Sequence, residues 1–391
     1  MQTEQVSVRI RPLVRDDGDQ VLKLWSEAFG EEPTPATPPV NPIDRPGRQT
    51  VVAECDGTLI GAVVERDFHS WFGGVEVSTS GIAGVTVAVE QRGAGLLTPL
   101  FEASQAEARN RGALISTMYP TAAGIYRRLG FEIVGALEII EVPTADLAVR
   151  GDPVPVRRAS VEDLPAVRAA YSRWARQQHG PLTRTGPSFP ATDTEVVGEF
   201  SGITVAESTS GQVTGYASWK RGEGYGDKAC IRVADLFADD RASLVSLMQA
   251  LSGHASVAPR TTIRSSGVDP WRLLLRSNAG TVLHRDPYGL AVLNVQAFAA
   301  IGYPTSIEAE LPFRWRDQGY LLSVSDGRGD VSATDVATDA RTFTDSGIAL
   351  AFAGSQTAAT QRTLGHLTGS TTHDSIWDIL IPAPVHIRDY F

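Results

Sequence analysis

The stretch from Val85 to Phe131 places the tightest limits on what this chain can fold into. It opens with apolar alternation at Val85, Val87 and Val89, the period of a half-buried strand. A tight turn follows, Gln91-Arg92-Gly93-Ala94-Gly95. Leu97, Leu100, Phe101, Ser104 and Ala108 then recur at helical spacing until Gly112 closes the helix. A strand that enters a helix through a glycine-bearing turn suits an anion. The N–H groups of the first helical turn have no internal acceptor, and the helix dipole favours negative charge there. Gly93, Ala94 and Gly95 let backbone approach a phosphate closely, and Arg92 adds charge-assisted bonds. Many strand–helix junctions carry glycine for steric reasons alone, so a second signal is needed.

That signal is the rest of the stretch. Ala113 to Tyr119 reads as the next strand, followed by Tyr126 and the run Arg128-Leu129-Gly130-Phe131. Strand, R-x-x-G-x-G/A, helix and a later Y-x-x-x-G-F resemble the GNAT acyltransferases. Leu97 departs from that pattern, and the R-x-x-G-L-L it creates resembles the Eis-type (enhanced intracellular survival) N-acetyltransferases. The resemblance implies acetyl-CoA as co-substrate. Its pantetheine arm would pair with Val85, Thr86 and Val87. Its pyrophosphate would lie on Arg92, Gly93, Ala94, Gly95, Leu96, Leu97 and Thr98, and Thr121 and Ala122 would flank the thioester.

The resemblance makes Tyr126 the acid for the leaving thiolate and the terminal carboxylate of Phe391 the base. Spacing alone equally allows Tyr126 to be a core tyrosine on a helix face; the flanking Leu129-Gly130-Phe131 favours catalysis. An α-carboxyl has a pKa of only about 3.5, so Phe391 would need burial or a water relay to take a proton.

Charge sets limits on partners. A formal net charge of −10 and the absence of a basic stripe do not favour a nucleic-acid partner. Only Cys55 and Cys230 are present, far apart, which argues against a disulfide framework or a zinc cluster. The seven histidines show no H-E-x-x-H spacing, so no metal is expected. The N-terminus lacks the apolar run of a signal peptide and no stretch reaches the length of a membrane span, so the expected location is the cytoplasm.

The chain also repeats itself. Val156-Arg157-Arg158-Ala159 answers Ile10-Arg11-Pro12, and Val205-Ala206-Glu207 with Gly211 and Gly215 answers Val52-Ala53-Glu54 with Gly57 and Gly61. Ile231 to Leu236 is the counterpart of the strand before the glycine turn, but Phe237-Ala238-Asp239-Asp240-Arg241 follows it. Two carboxylates would repel a pyrophosphate there. The expected fold class is therefore α/β (α+β), with two tandem GNAT acyltransferase domains, at 1–150 and 151–283, the second degenerate. A third part, 284–391, resembles the sterol-carrier-like α+β domain of Eis-type proteins. It is expected to hold strands at Leu290 to Val295, Leu321 to Asp326 and Gly347 to Phe352 and a helix at Thr357 to Leu367.

Two functional classes compete. The leading one is acetyl-CoA-dependent N-acetylation of primary amines. By resemblance the acceptors would be polycationic, aminoglycoside-like or lysine-containing, and the protein a homo-oligomer, in Eis-type form a hexamer. Trp25, Glu27 and Phe29, with Glu31, Glu32 and Asp44, would build the acidic pocket such acceptors need. The other class is a lipid- or sterol-binding protein with a vestigial acyltransferase part. The intact Arg92-Gly93-Ala94-Gly95 turn argues against it.

Overall fold

A computed structural model describes residues 8–30, 41–267, 269–276, 280–381 and 385–391; Glu31 and Glu32 lie outside them. The chain begins with β1 (Val8–Pro12) and helix α1 (Gly18–Phe29), which ends at Gly30 in the left-handed conformation. A meander follows: β2 (Arg48–Cys55), β3 (Thr58–Phe72) and β4 (Val75–Val87). The β2–β3 turn is the expected Asp56-Gly57, with φ of 48° and 76° that the dipeptide tolerates. Helix α2 (Leu97–Asn110), β5 (Ile115–Met118), helix α3 (Ala123–Arg127) and β6 (Glu132–Pro143) complete the first run. Val89, expected to continue the strand, instead opens a single 3-10 turn that redirects the chain toward α2.

The second run repeats this order: β7 (Val156–Arg158), α4 (Leu164–Ala175), α5 (Asp193–Glu199), β8 (Gly202–Glu207), β9 (Val213–Arg221), β10 (Cys230–Ala238), α6 (Arg241–Ser252), β11 (Arg260–Ser265) and α7 (Pro270–Leu274). Then β12 (Thr281–Val292) returns to the first run. It pairs antiparallel with both β5 and β6, while β11 pairs with the other edge of β6. The result is one twelve-stranded sheet in the order β1-β2-β3-β4-β5-β12-β6-β11-β10-β9-β8-β7.

The expected boundary at 283/284 thus falls inside β12, and the strand at Leu290, assigned to the third part, belongs to the large sheet. Its buried, apolar end at Leu290, Ala291 and Val292 fills the place between β5 and β6, where both faces are covered.

The last part is a five-stranded sheet with helices on it. Its strands are β13 (Ala309–Trp315), β14 (Gln318–Ser325), β15 (Arg328–Ala333), β16 (Thr342–Phe343) and β17 (Leu367–Thr368). Gly347 to Phe352, expected as a strand, lies in helix α8 (Asp345–Ala353). A run apolar on every side has no readable period, and the Thr344 hydroxyl settles the matter by capping the helix at Gly347 N–H, 3.0 Å away. The helix expected over Thr357 to Leu367 is the shorter α9 (Ala358–Thr363), and α10 (Asp374–Leu380) precedes the tail. No helix of the described residues is long and apolar enough to cross a membrane.

Candidate active site

The glycine turn lies where β4 parts from its neighbour. β4 runs parallel to β5 only from Thr79, opposite Ile115, to Ile82, opposite Met118. Beyond Ile82 the β5-side edge of Val85, Thr86 and Val87 pairs with no strand among the described residues, although the β3 side stays paired. This split leaves main-chain groups for an extended ligand. At its end Gly93 and Gly95 take φ of 87° and 78°, and a Cβ on either would meet open space. Glycine is required there for its backbone conformation, since L-residues are strained in it.

Arg92, Gly93, Ala94, Gly95 and Thr98 are exposed around the start of α2. Leu96 is buried and Leu97 half-buried, anchoring the turn to the core that Leu100 and Phe101 form. Arg92 Nε reaches only its own strand, the Val87 carbonyl at 3.4 Å, so the guanidinium lies over the turn.

Tyr126 belongs to that same core. Its ring lies 5.8 Å from Phe101, in a cluster with Ile82, Leu96 and Leu100. Burial pushes its phenol above the ordinary value, so the hydroxyl keeps its proton at neutral pH. The two readings of Tyr126, core residue and site residue, therefore describe one position. Thr121 and Ala122 are exposed immediately before α3.

Phe391 reaches the split from the other face. Ile82 points toward α2, so its neighbour Gly81 faces away. A Cβ on Gly81 would come within 3.0 Å of the Phe391 ring and collide with Phe68. The Phe391 ring sits 4.9 Å from Phe68 and 5.5 Å from Tyr119. The tail reaches this point firmly held. His386 N–H bonds to the His179 carbonyl at 2.7 Å, and Ile387 N–H to Ser266 Oγ at 3.0 Å. Arg388 is buried in an ion pair with Asp269, and the Tyr119 hydroxyl donates to the Asp389 carbonyl at 2.6 Å. Arg184 bridges Asp235 (2.6 Å) and Asp389 (2.9 Å). Asp235, desolvated but gripped by Arg184, stays below the usual carboxylate range, whereas burial pushes Asp389 above it.

The pocket residues expected from sequence do not gather. Trp25 lies near the split: a Cβ on Gly84 would be 3.8 Å from its buried, unpartnered Nε1. Glu27 is on the solvent face of α1, 3.9 Å from Lys23, and Phe29 is exposed. Asp44 pairs with Arg15 at the surface. Phe68 and Tyr119 pack against Phe391, Arg66 lies over the Phe68 ring, and Arg48 stands opposite Arg66 on the neighbouring strand; sequence reading gave none of the four a site role. The arginines have no sequence signal short of the β2–β3 register.

The second run lacks a free turn. Asp240 Oδ1 accepts from the Ser243 N–H at 2.8 Å, so a carboxylate already occupies the start of α6. Asp239 pairs with Arg173 at 2.7 Å.

Comparison with known proteins agrees with this layout. Residues 9–134 match one acetyltransferase (GNAT) domain family, and residues 180–289 match a second acetyltransferase (GNAT) domain family. Both are GNAT acetyltransferase domains. The two stand in tandem in this chain, the enzyme class is acetyltransferase, and GNAT domains use acetyl-CoA.

A GCN5-related N-acetyltransferase from Kribbella flavida superposes with a TM-score of 0.85 at 26% identity, covering 99% of each chain. One from Anabaena variabilis gives 0.85 at 21%, covering 98% of this chain and all of that one. Eis1 from Mycobacterium abscessus gives 0.76 at 19% over the same shares, a likeness of fold. No curated protein matched the sequence. Among the described residues no group of three or more His, Cys, Asp or Glu is placed to hold a metal ion.

Proposed function

We propose that the first GNAT domain of this tandem enzyme transfers the acetyl group of acetyl-CoA to a primary amine, with Tyr126 as acid and the terminal carboxylate of Phe391 as base. The observation that carries the reading is the convergence of the glycine turn, Tyr126 and the docked tail on the two faces of one β4–β5 split.

The residues fit the co-substrate: open, positive-φ glycines and the unpartnered N–H groups of a first helical turn are an anion cradle. Acetyl-CoA, when bound, supplies the activated acetyl group and a thiolate that departs. Arg92 to Thr98 would hold the pyrophosphate and the free β5-side edge of Val85 to Val87 the pantetheine. Tyr126 keeps a proton for the departing sulfur because its phenol is desolvated. The Phe391 carboxylate, directly or through water, takes the proton of the incoming ammonium.

The second domain would not bind the co-substrate, because Asp240 fills the corresponding position. A lipid-binding role for the C-terminal part is the weaker reading. Its cavity holds about 160 Å³ and is lined by Arg341, Gln361, Trp377 and Asp378. Pockets for drug-sized apolar ligands run from roughly 300 to 1,000 Å³. The test is release of free thiol from acetyl-CoA against a panel of primary amines, with product confirmed by mass. No amine-dependent release from any member would overturn the reading.

A further inference from the structure

The acceptor side of the split carries an unexpected charge. The strand registers place Arg48 opposite Arg66, Arg66 opposite Gly81, and Gly81 opposite Thr117, so the four form one row across β2, β3, β4 and β5. Residues paired across strands share a face, and Gly81 shows which one: the face on which the Phe391 ring lies. With strands about 5 Å apart, the two arginines stand about 5 and 10 Å from β4. The pyrophosphate turn is beyond Val87, about 20 Å further along β4, so these cations do not serve it.

Among the described residues neither Arg48 nor Arg66 makes an ion pair that would neutralise it. Like charges directly opposite one another oppose strand pairing. Arg45 adds a third positive charge nearby, and the one carboxylate felt by Arg66, that of Asp389, is already held by Arg184. Desolvation, with Arg45 and Arg66 beside it, pushes Arg48 down to about 10. Arg66 lies 4.9 Å over the Phe68 ring and gives one N–H to the Ser188 carbonyl at 2.9 Å, while its Nε is buried without a partner. Phe68 is the ring against which Phe391 packs. Two half-buried guanidiniums with unspent donors, the nearer of them one ring away from the tail, suit a carboxylate far better than a second ammonium.

We propose that Arg48 and Arg66 are the anion-binding end of the acceptor site, and that the acceptor is an amino carboxylate whose amine and carboxylate are several bonds apart. This rests on the acetyl-transfer reading above. It replaces the polycation expected from resemblance: a diamine or aminoglycoside would set a second positive charge against the pair.

Three amines of equal chain length separate the possibilities: 6-aminohexanoate, hexylamine and 1,6-diaminohexane. The full chain should acetylate 6-aminohexanoate with the highest kcat/KM and the diamine with the lowest. Arg48→Gln/Arg66→Gln should lower the ratio of 6-aminohexanoate to hexylamine by about 10- to 100-fold, the range for a lost charged hydrogen bond. Arg48→Lys/Arg66→Lys, which keeps both charges, should retain most of the preference. If all three amines react but the diamine equals or exceeds the amino acid, acetyl transfer stands and the anion site is overturned. The anion site falls equally if the lysine pair loses the preference as fully as the glutamine pair. If none of the three reacts, acetyl transfer to amines fails first, and the anion site with it.

Discussion

The Tyr119 hydroxyl and the Asp389 carbonyl are joined by a 2.6 Å hydrogen bond across a sequence separation of 270 residues. Burial holds the Tyr119 phenol well above its ordinary value, so it remains a donor. Its ring also packs 4.7 Å from Tyr390 and 5.5 Å from Phe391. Tyr119 is therefore a positioning residue for the chain end. Tyr119→Phe keeps the ring and removes the bond, which should cost about 1 kcal/mol of stability. Turnover should fall several-fold while KM for acetyl-CoA holds, because the turn after β4 is untouched. A kcat equal to the native value would mean the bond serves packing alone.

Binding of acetyl-CoA should be confined to the first domain. Calorimetric titration should give one site per chain. Gly95→Glu should abolish it, both because φ of 78° strains any side chain and because a carboxylate at the turn imitates what Asp240 does in the second domain. Two sites per chain, or unaltered binding by the variant, would contradict the assignment.

Tyr126→Phe should lower turnover by roughly 10²–10⁴, the range for a lost general acid or base, with little change in acetyl-CoA affinity. The ring still fills its place against Phe101, so melting should shift little. Near-native turnover would return Tyr126 to a purely structural role.

A pH dependence follows from His179. Burial, with His386 beside it, pushes its imidazole down to about 4, and its Nδ1 accepts the Gly73 N–H at 3.2 Å. The folded chain keeps this group neutral, while the unfolded chain takes a proton below about 6.5. Its contribution to stability is thus complete above pH 6.5 and is lost as pH falls toward 4, by about 3 kcal/mol at most. Denaturant titrations at several pH values should show this slope, and His179→Gln should flatten it. An unchanged slope in the variant would assign the acid sensitivity to other groups.

How much of this was legible depended on whether the signal was local. Gly93 and Gly95 could be read because a left-handed turn admits little else, and Asp239-Asp240 because a carboxylate at a helix start excludes a phosphate whatever surrounds it. The pairing of β12 was not legible. Leu290 to Val292 read as a strand, but its partners Ile115 to Thr117 and Glu132 lie about 160 to 180 residues earlier, and periodicity carries no address. Helix α8 was misread because burial on every side erases the period that separates helix from strand. Arg48 and Arg66 carry no local signal, since only the β2–β3 register sets them opposite one another. Glu27, by contrast, sat in a plausible segment but on the outward face of α1.

The decisive prediction concerns the tail. Its anchors lie before the last residue: His386 on His179, Ile387 and Arg388 on Ser266 and Asp269, Asp389 on Arg184 and Tyr119. Extending the chain beyond Phe391 leaves all of these in place, so the extended protein should melt close to the native temperature. The extension nevertheless turns the terminal carboxylate into a neutral amide and adds residues beside Phe68 and Gly81, where a single Cβ already has no room. Acetylation should fall by two orders of magnitude or more, the range for a lost base. Cleavage back to Phe391 should restore it. Removing Phe391 alone puts a carboxylate on Tyr390, an exposed residue one position short. That variant should regain little activity if position matters and most of it if any terminal charge suffices. An extended chain that acetylates amines at the native rate would eliminate the terminal base and leave proton removal to a water chain or to another carboxylate of the first domain.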